Sequence, residues 1–203
     1  YKKPTTIPIS KSFLTDGTLE LDQVSFFVKP KSDEDNRQIR VLNKVSLRVS
    51  RGECGAISTA KGLGKTTLLY VLAGLYHPQE GRITLNGIDL EKFPPADLYK
   101  MIGYLPEQSE ILHGTVKENL TFFGAIPEED AFHTAELLGI DEAIAVLPNG
   151  WDTMLYNSPA DLLPPGLKQR LTVARVLATK PAVIVFDQAD VALDSEGYRR
   201  LFA

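Results

Sequence analysis

Apolar and polar positions alternate through two stretches near the start of the chain, "LELDQVSFFV" (19–28) and "IRVLNKVSLRV" (39–49). Between them lies the polar "KPKSDEDNRQ". Period-two alternation on either side of a charged, solvated tip predicts a hairpin-like pair of half-buried strands. The short apolar run "ECGAIS" (53–58) predicts a strand that leads through a glycine-bearing turn into the helix "TTLLYVLAGLY", which closes at Gly74 or soon after. A second hairpin is signalled by Asn86-Gly87 inside "GRITLNGIDL" (81–90). After "IGYLP" (102–106) the pattern turns helical over 115–147, as in "EEDAFHTAELLGI". A further helix over about 166–179 runs into "AVIVFD" (182–187), which reads as a buried strand with an acidic end. Antiparallel strands, a strand–turn–helix unit, a helical insertion and a closing buried strand predict an α/β core with two appendages, one of β structure and one of helices.

Composition narrows the picture. With 203 residues, 43% hydrophobic and 24% charged, the chain is sized for one domain with one core. Its Pro/Thr/Ser-rich first 16 residues read as a linker. A net charge of -4 gives no broad basic field and argues against nucleic acid as the main ligand. The single cysteine, Cys54, excludes an internal disulfide and a cysteine-based metal site, and its place in a strand makes it a small core residue. No apolar run reaches the roughly 18 residues of a membrane span. The start "YKKP" and the helical ending "SEGYRRLFA" predict a piece of a longer polypeptide.

Two segments carry chemistry. "STAKGLGKTT" (58–67) lies between a predicted strand and a helix, and it ends as a P-loop does. Such a loop aims backbone N–H groups at phosphate oxygens at the positive end of a helix dipole. The predicted cradle is Thr59, Ala60, Lys61, Gly62, Leu63, Gly64, Lys65, Thr66 and Thr67. Lys65 reaches the β and γ phosphates, and the Thr66 hydroxyl serves Mg²⁺. The strict motif asks for glycine at 59, where this chain has Thr59. On the other segment, Asp187 emerges from "AVIVF" at the C-terminal end of a strand, where ligands of open α/β sheets gather, as a carboxylate on the Mg²⁺ side.

With the segments between them, these sites resemble the nucleotide-binding domain of an ABC transporter over nearly all of residues 18–203. The markers follow in order: "STAKGLGKTT" as Walker A, "YLPEQSEILHGTVKENL" as the Q-loop, "LPPGLKQRL" as the signature, "VIVFDQ" as Walker B and "VALD" as the D-loop. "GTVKENL" and "LPNGWDT" resemble the exporter branch. The resemblance implies a P-loop NTPase (RecA-like) core with an antiparallel β subdomain and a helical subdomain at about 107–178, the whole domain spanning 17–203. It implies ATP and Mg²⁺ as ligands and head-to-tail pairing with a second nucleotide-binding domain. It also implies coupling to a membrane-spanning domain at the cytoplasmic face of a membrane.

The departures from the family pattern are as informative. The position that stacks on adenine is Val28, leaving Phe26 or Phe27 as substitutes. The Q-loop glutamine, which helps hold Mg²⁺, aligns with Glu107. The signature becomes Leu163, Pro164, Pro165, Gly166 and Leu167, and proline removes N–H donors where the family presents them to the γ phosphate across the dimer. Gln188 stands where the general-base glutamate is expected, and a neutral amide cannot accept a proton from water. His77, His113 and His133 do not match the switch histidine. Trp151 reads as packing of the helical subdomain, and Arg199 and Arg200 as a solvated helix face. The primary expectation is an exporter ATP-binding domain with impaired hydrolysis. The alternative is a non-hydrolysing regulatory or assembly module that binds nucleotide as a structural ligand or not at all. A soluble ABC-type ATPase acting on nucleic acid is disfavoured by the exporter-like segments.

Overall fold

The computed structural model describes residues 17–29, 38–58, 60, 62–156, 158 and 161–202. The linker-like first 16 residues and most of the charged hairpin tip lie outside them. The chain divides into two units, residues 1–102 and 103–203.

The first unit is built on a sheet in the order β2-β1-β3-β4. β1 (Leu19–Val28) pairs antiparallel with β2 (Ile39–Val49) and on its other edge with β3 (Glu80–Leu85). Leu19 thus sits opposite both Val49 and Leu85. Leu19, Leu21, Val24 and Phe26 are buried, as the alternation predicts, with register shifts along β1 that re-phase the pattern after Asp22. β3 turns into the short β4 (Ile88–Asp89) through Asn86 (φ 53°) and Gly87 (φ 76°), the two left-handed residues an Asn-Gly hairpin turn needs. α1 (Lys65–Leu72) buries Leu68, Leu69, Val71 and Leu72, and it ends at Gly74, whose φ is 71°. α2 (Pro95–Met101) starts with proline at its first position, where no N–H is needed, and buries Leu98 and Met101.

The segment 53–58 departs from expectation. It joins no ladder among the described residues and is exposed along nearly its whole length. Cys54 is therefore exposed, not a core residue. Gly55, Ala56 and Ser58 have little apolar surface to bury, so burial does not offset the cost of ordering them as a strand. Glu53 is instead held in a turn: its N–H donates to the Ser50 carbonyl at 3.0 Å, and its carboxylate accepts from the Ser50 N–H at 2.7 Å.

β5 (Ile102–Leu105), all but its first residue in the second unit, pairs with β8 (Val183–Phe186). The helices of this unit are α3 (Val116–Leu120), α4 (Glu128–Leu137), α5 (Ile140–Ala145), α6 (Pro165–Ala178) and α7 (Ser195–Phe202). β6 (Gly114–Thr115) and β7 (Met154–Leu155) form a small antiparallel pair. One core joins them: Val116, Leu120, Ile140, Ile144, Leu155 and Leu171 are buried together, with Leu105 of β5 and Ala189 beyond β8. α3 begins with a reciprocal capping box between Thr115 and Glu118. Trp151 packs against this core, its ring edge-on to Phe132 at 4.8 Å, as expected of a packing residue. β8 is less enclosed than the run "AVIVF" predicts. Val185 is buried but Ile184 is 46% exposed, because alternation turns it to the opposite face and β5 is the one strand paired with β8 among the described residues. Arg200 is not a purely solvated residue either. Its guanidinium bonds Glu196 and Glu142 and lies against Gly139, while Arg199 is exposed.

Candidate functional site

In the first unit the predicted phosphate loop is anchored at Gly64. Its φ of 81° places it in the left-handed region, and a Cβ there would stand 2.7 Å from the Val41 side chain and 3.2 Å from the Val41 carbonyl. Glycine is thus required both by conformation and by the close approach of β2. Gly64 caps α1, and its carbonyl accepts from the Leu68 N–H at 2.8 Å. The first N–H groups of α1 have no intrahelical acceptor, and its first turn carries no acidic residue to compensate the dipole. Lys65 and Thr67 are half-buried, and Thr66, Ala60, Gly62 and Leu63 are exposed. Thr59 and Lys61 lie outside the described residues.

Val28, the position expected to face the adenine base, ends β1. Val28 is 37% exposed, an aliphatic side chain with no ring to offer. Phe26 cannot substitute: it is buried and stacks on Tyr76 with centroids 5.3 Å apart and planes 6° from parallel. Phe27 has the Arg40 guanidinium 4.8 Å from its ring centroid, so one of its faces is already covered.

In the second unit the acid is where the sequence predicts it. Asp187 follows β8 and is 4% exposed. Its N–H donates to the Leu105 carbonyl at 2.9 Å, and its Oδ2 accepts from the Tyr104 hydroxyl at 3.1 Å. Its Oδ1 is buried with no partner among the described residues. A buried carboxylate oxygen without a donor is costly unless something cationic or protic reaches it. This fits a Mg²⁺ site, which takes one or two carboxylates and fills its remaining positions with water and phosphate oxygens. Among the described residues no cluster of three or more His, Cys, Asp or Glu could hold a metal unaided. Gln188 follows with φ 52°, a strained conformation for this residue, and is exposed. Glu107 and Gln108 are exposed beyond β5.

The signature segment opens α6. Leu163 is buried, Pro164 caps the helix with φ -60° and ψ 155°, and Pro165 is its first residue. Pro164 and Pro165 contribute no N–H, so the donors of the first turn start at Gly166. Gly166 faces Asp194 so closely that a Cβ would meet the Asp194 side chain at 2.8 Å. Gln169 and Arg170 are both buried and engaged within the unit. The Gln169 amide donates to the carbonyls of Pro106 and Ala189, each at 3.1 Å, tying together the residues beside Glu107 and Gln188. Arg170 donates to the carbonyls of Leu138 and Gly139 and to Asp194 at 3.0 Å. Lys168 donates to Asp161 at 2.7 Å; burial raises that carboxyl, but the Lys168 bond and the N–H groups of Tyr156 and Ser158 hold it below its ordinary value. Burial lowers the Arg175 guanidinium, countered by Glu110, and its NH2 group donates to the Glu110 carbonyl at 2.8 Å.

Sequence reasoning missed Tyr104 and the brace formed by Gln169. The signal for Tyr104 was present, since a tyrosine inside a buried strand needs a partner for its hydroxyl.

The ABC transporter family model matches residues 42–191. The colicin V secretion/processing ATP-binding protein of Escherichia coli is 35% identical over 163 residues, 80% of this chain and 23% of that protein. The cyclolysin secretion/processing ATP-binding protein of Bordetella pertussis is 34% identical over 182 residues, 89% of this chain and 24% of its own length. A bacterial Atm1-family ABC exporter solved with ATP bound superposes with a TM-score of 0.80 at 26% identity, over 99% of this chain and 33% of the other. The chain therefore spans between a fifth and a third of the length of these relatives. A predicted phosphate loop opening α1, a buried acid closing β8 and a family match across both units agree: the chain belongs to the ABC transporter family, as an exporter-like nucleotide-binding domain with the P-loop NTPase fold.

Proposed function

We propose that this domain binds Mg·ATP through the phosphate loop and Asp187, and that binding, more than hydrolysis, is its working step. The observation that carries the reading is the Asp187 carboxylate, buried at the end of β8 with one oxygen held and the other without a partner. The acid-free start of α1, with Lys65 and Thr66 in its first turn, supports the phosphate half of the site. In this reading Thr59, Ala60, Lys61, Gly62, Leu63, Gly64 and Thr67 complete the phosphate cradle. Val28 lies at the base position without stacking on it. Thr66, Asp187 and Glu107 would hold the metal, which would supply charge neutralisation for the phosphates. Residues 17–203 form the nucleotide-binding domain, with a helical part at about 107–178.

Turnover is slow or absent for two separate reasons. Gln188 orients water but takes no proton from it. Pro164 and Pro165 withdraw two N–H groups from the segment that meets the nucleotide of a partner domain, leaving Leu163 and Gly166 as the remnant of that contact. Dimerisation with a second nucleotide-binding domain, attachment to a membrane-spanning domain and a place on the cytoplasmic face of a membrane belong to the same reading. The names of the secretion and export relatives support it. The doubled proline also favours a second reading, in which nucleotide is a structural ligand that switches assembly.

Calorimetric titration of Mg·ATP into the protein and into Lys65→Ala tests the proposal. Micromolar binding that disappears in Lys65→Ala is the expected result. No heat up to millimolar nucleotide contradicts it and leaves a fold used for assembly.

A further inference from the structure

The carboxylate of Asp187 has two unlike oxygens. Oδ2 accepts from the Tyr104 hydroxyl at 3.1 Å, whereas Oδ1 is buried and has no partner among the described residues. The main chain is fixed by the same strand, since the Asp187 N–H donates to the carbonyl of Leu105, the neighbour of Tyr104. Two consecutive residues of β5 thus hold the backbone and the side chain of the acid. The carboxylate cannot rotate without losing the tyrosine bond, and in the observed rotamer the oxygen left open is Oδ1.

The geometry points to Tyr104 as a positioning residue for a divalent cation. Its hydroxyl fixes the Asp187 carboxylate so that Oδ1 is presented to the metal or to a metal-bound water. The inference rests on the Mg·ATP reading above and adds a residue and a division of labour to it. The hydroxyl donates to one oxygen of the carboxylate it orients, so that oxygen is held while the other is left for a ligand. Partners of this kind, one bond removed from a metal, are worth roughly ten- to hundredfold in metal affinity. Tyrosine is suited to the task because its rigid ring packs in the strand layer while the hydroxyl reaches one defined point.

The test uses Mn²⁺ as the paramagnetic probe in the full-length protein, with and without ATP. Electron paramagnetic resonance measures Mn²⁺ affinity in the nucleotide complex, calorimetry measures ATP affinity in excess chelator, and urea unfolding measures stability. Tyr104→Phe is expected to weaken Mn²⁺ binding roughly tenfold, with metal-free ATP affinity unchanged. Mn²⁺ affinity equal to wild type in a folded Tyr104→Phe overturns the role of Tyr104 and leaves the Mg·ATP reading standing. Absence of ATP-dependent Mn²⁺ binding in the wild type overturns both. If Tyr104→Phe does not fold, 3-fluorotyrosine at position 104 keeps the hydroxyl and decides the matter. A ¹⁹F resonance that moves with Mg·ATP but not with metal-free ATP supports the proposal, and one that moves with neither overturns it.

Discussion

At position 64 two constraints coincide, a φ of 81° and a Cβ position 2.7 Å from the Val41 side chain. Gly64→Ala is therefore expected to cost about 1–3 kcal/mol in urea unfolding and to weaken ATP binding, because relief can come only by moving the loop off β2. A Gly62→Ala control meets open space and bears only the backbone term at φ 85°, so it loses less. Gln188 allows a chemical prediction. A glutamate there supplies a base, a group typically worth roughly 10²–10⁴-fold in rate, yet Pro164 and Pro165 still withhold their donors. Gln188→Glu should accordingly fall short of that range in a phosphate-release assay, and Gln188→Glu combined with Pro164→Ser and Pro165→Gly should exceed it. Full recovery by Gln188→Glu alone would show the prolines to be harmless. Residue identity put Lys65, Asp187 and Gln188 forward as candidates in the sequence. Tyr104, Gln169 and Arg170 owe their roles to partners 83, 63 and 24 positions away, and a local pattern can show that a partner is needed but not which residue it is.

Among the elements, those with strong periodicity were readable: the β1/β2 pair, the Asn-Gly hairpin, α1 with its glycine stop, α6, and β8 with its acidic end. The segment 53–58 was not, because its apolar letters are small and its standing as a strand depends on neighbours, not on itself. The exposure of Ile184 has the same origin, since a run of apolar letters does not say how many strands flank it. α6 is held by Lys168, Gln169 and Arg170 in succession. Arg170→Ala removes bonds to two carbonyls and to Asp194, and about 2–3 kcal/mol of destabilisation is expected in urea unfolding. The Asp161–Lys168 pair gives a pH dependence of definite sign. The folded-state pKa of Asp161 is lowered from 3.8, so its stabilisation is present above that value and is lost as pH falls through the lower folded value. Lys168→Met removes the main lowering partner. It should be less stable at pH 7 by about 2 kcal/mol and lose less on acidification between pH 5 and 2.5, both measured as urea midpoints.

For the whole molecule the account predicts binding without matching turnover. In the proposed reading an ATP site combines the phosphate loop of one domain with the signature of another, and this chain would carry one half of each kind. Its phosphate loop keeps Lys65 and Thr66, while its signature is depleted by Pro164 and Pro165. Two copies would give two weak composite sites, and an intact partner would still meet those prolines across its own nucleotide. Mg·ATP-dependent association, read by light scattering, should therefore be weak between copies of this chain, and adding a partner with a complete signature should strengthen it. Tight self-association would show that the prolines do not obstruct the composite site. The most direct test of the central claim is phosphate release under saturating Mg·ATP, compared with Lys65→Ala. Protein that binds ATP should release phosphate no faster than Lys65→Ala. Lys65-dependent release at several turnovers per second would contradict it, since neither Gln188 nor the proline-bearing signature could then be limiting.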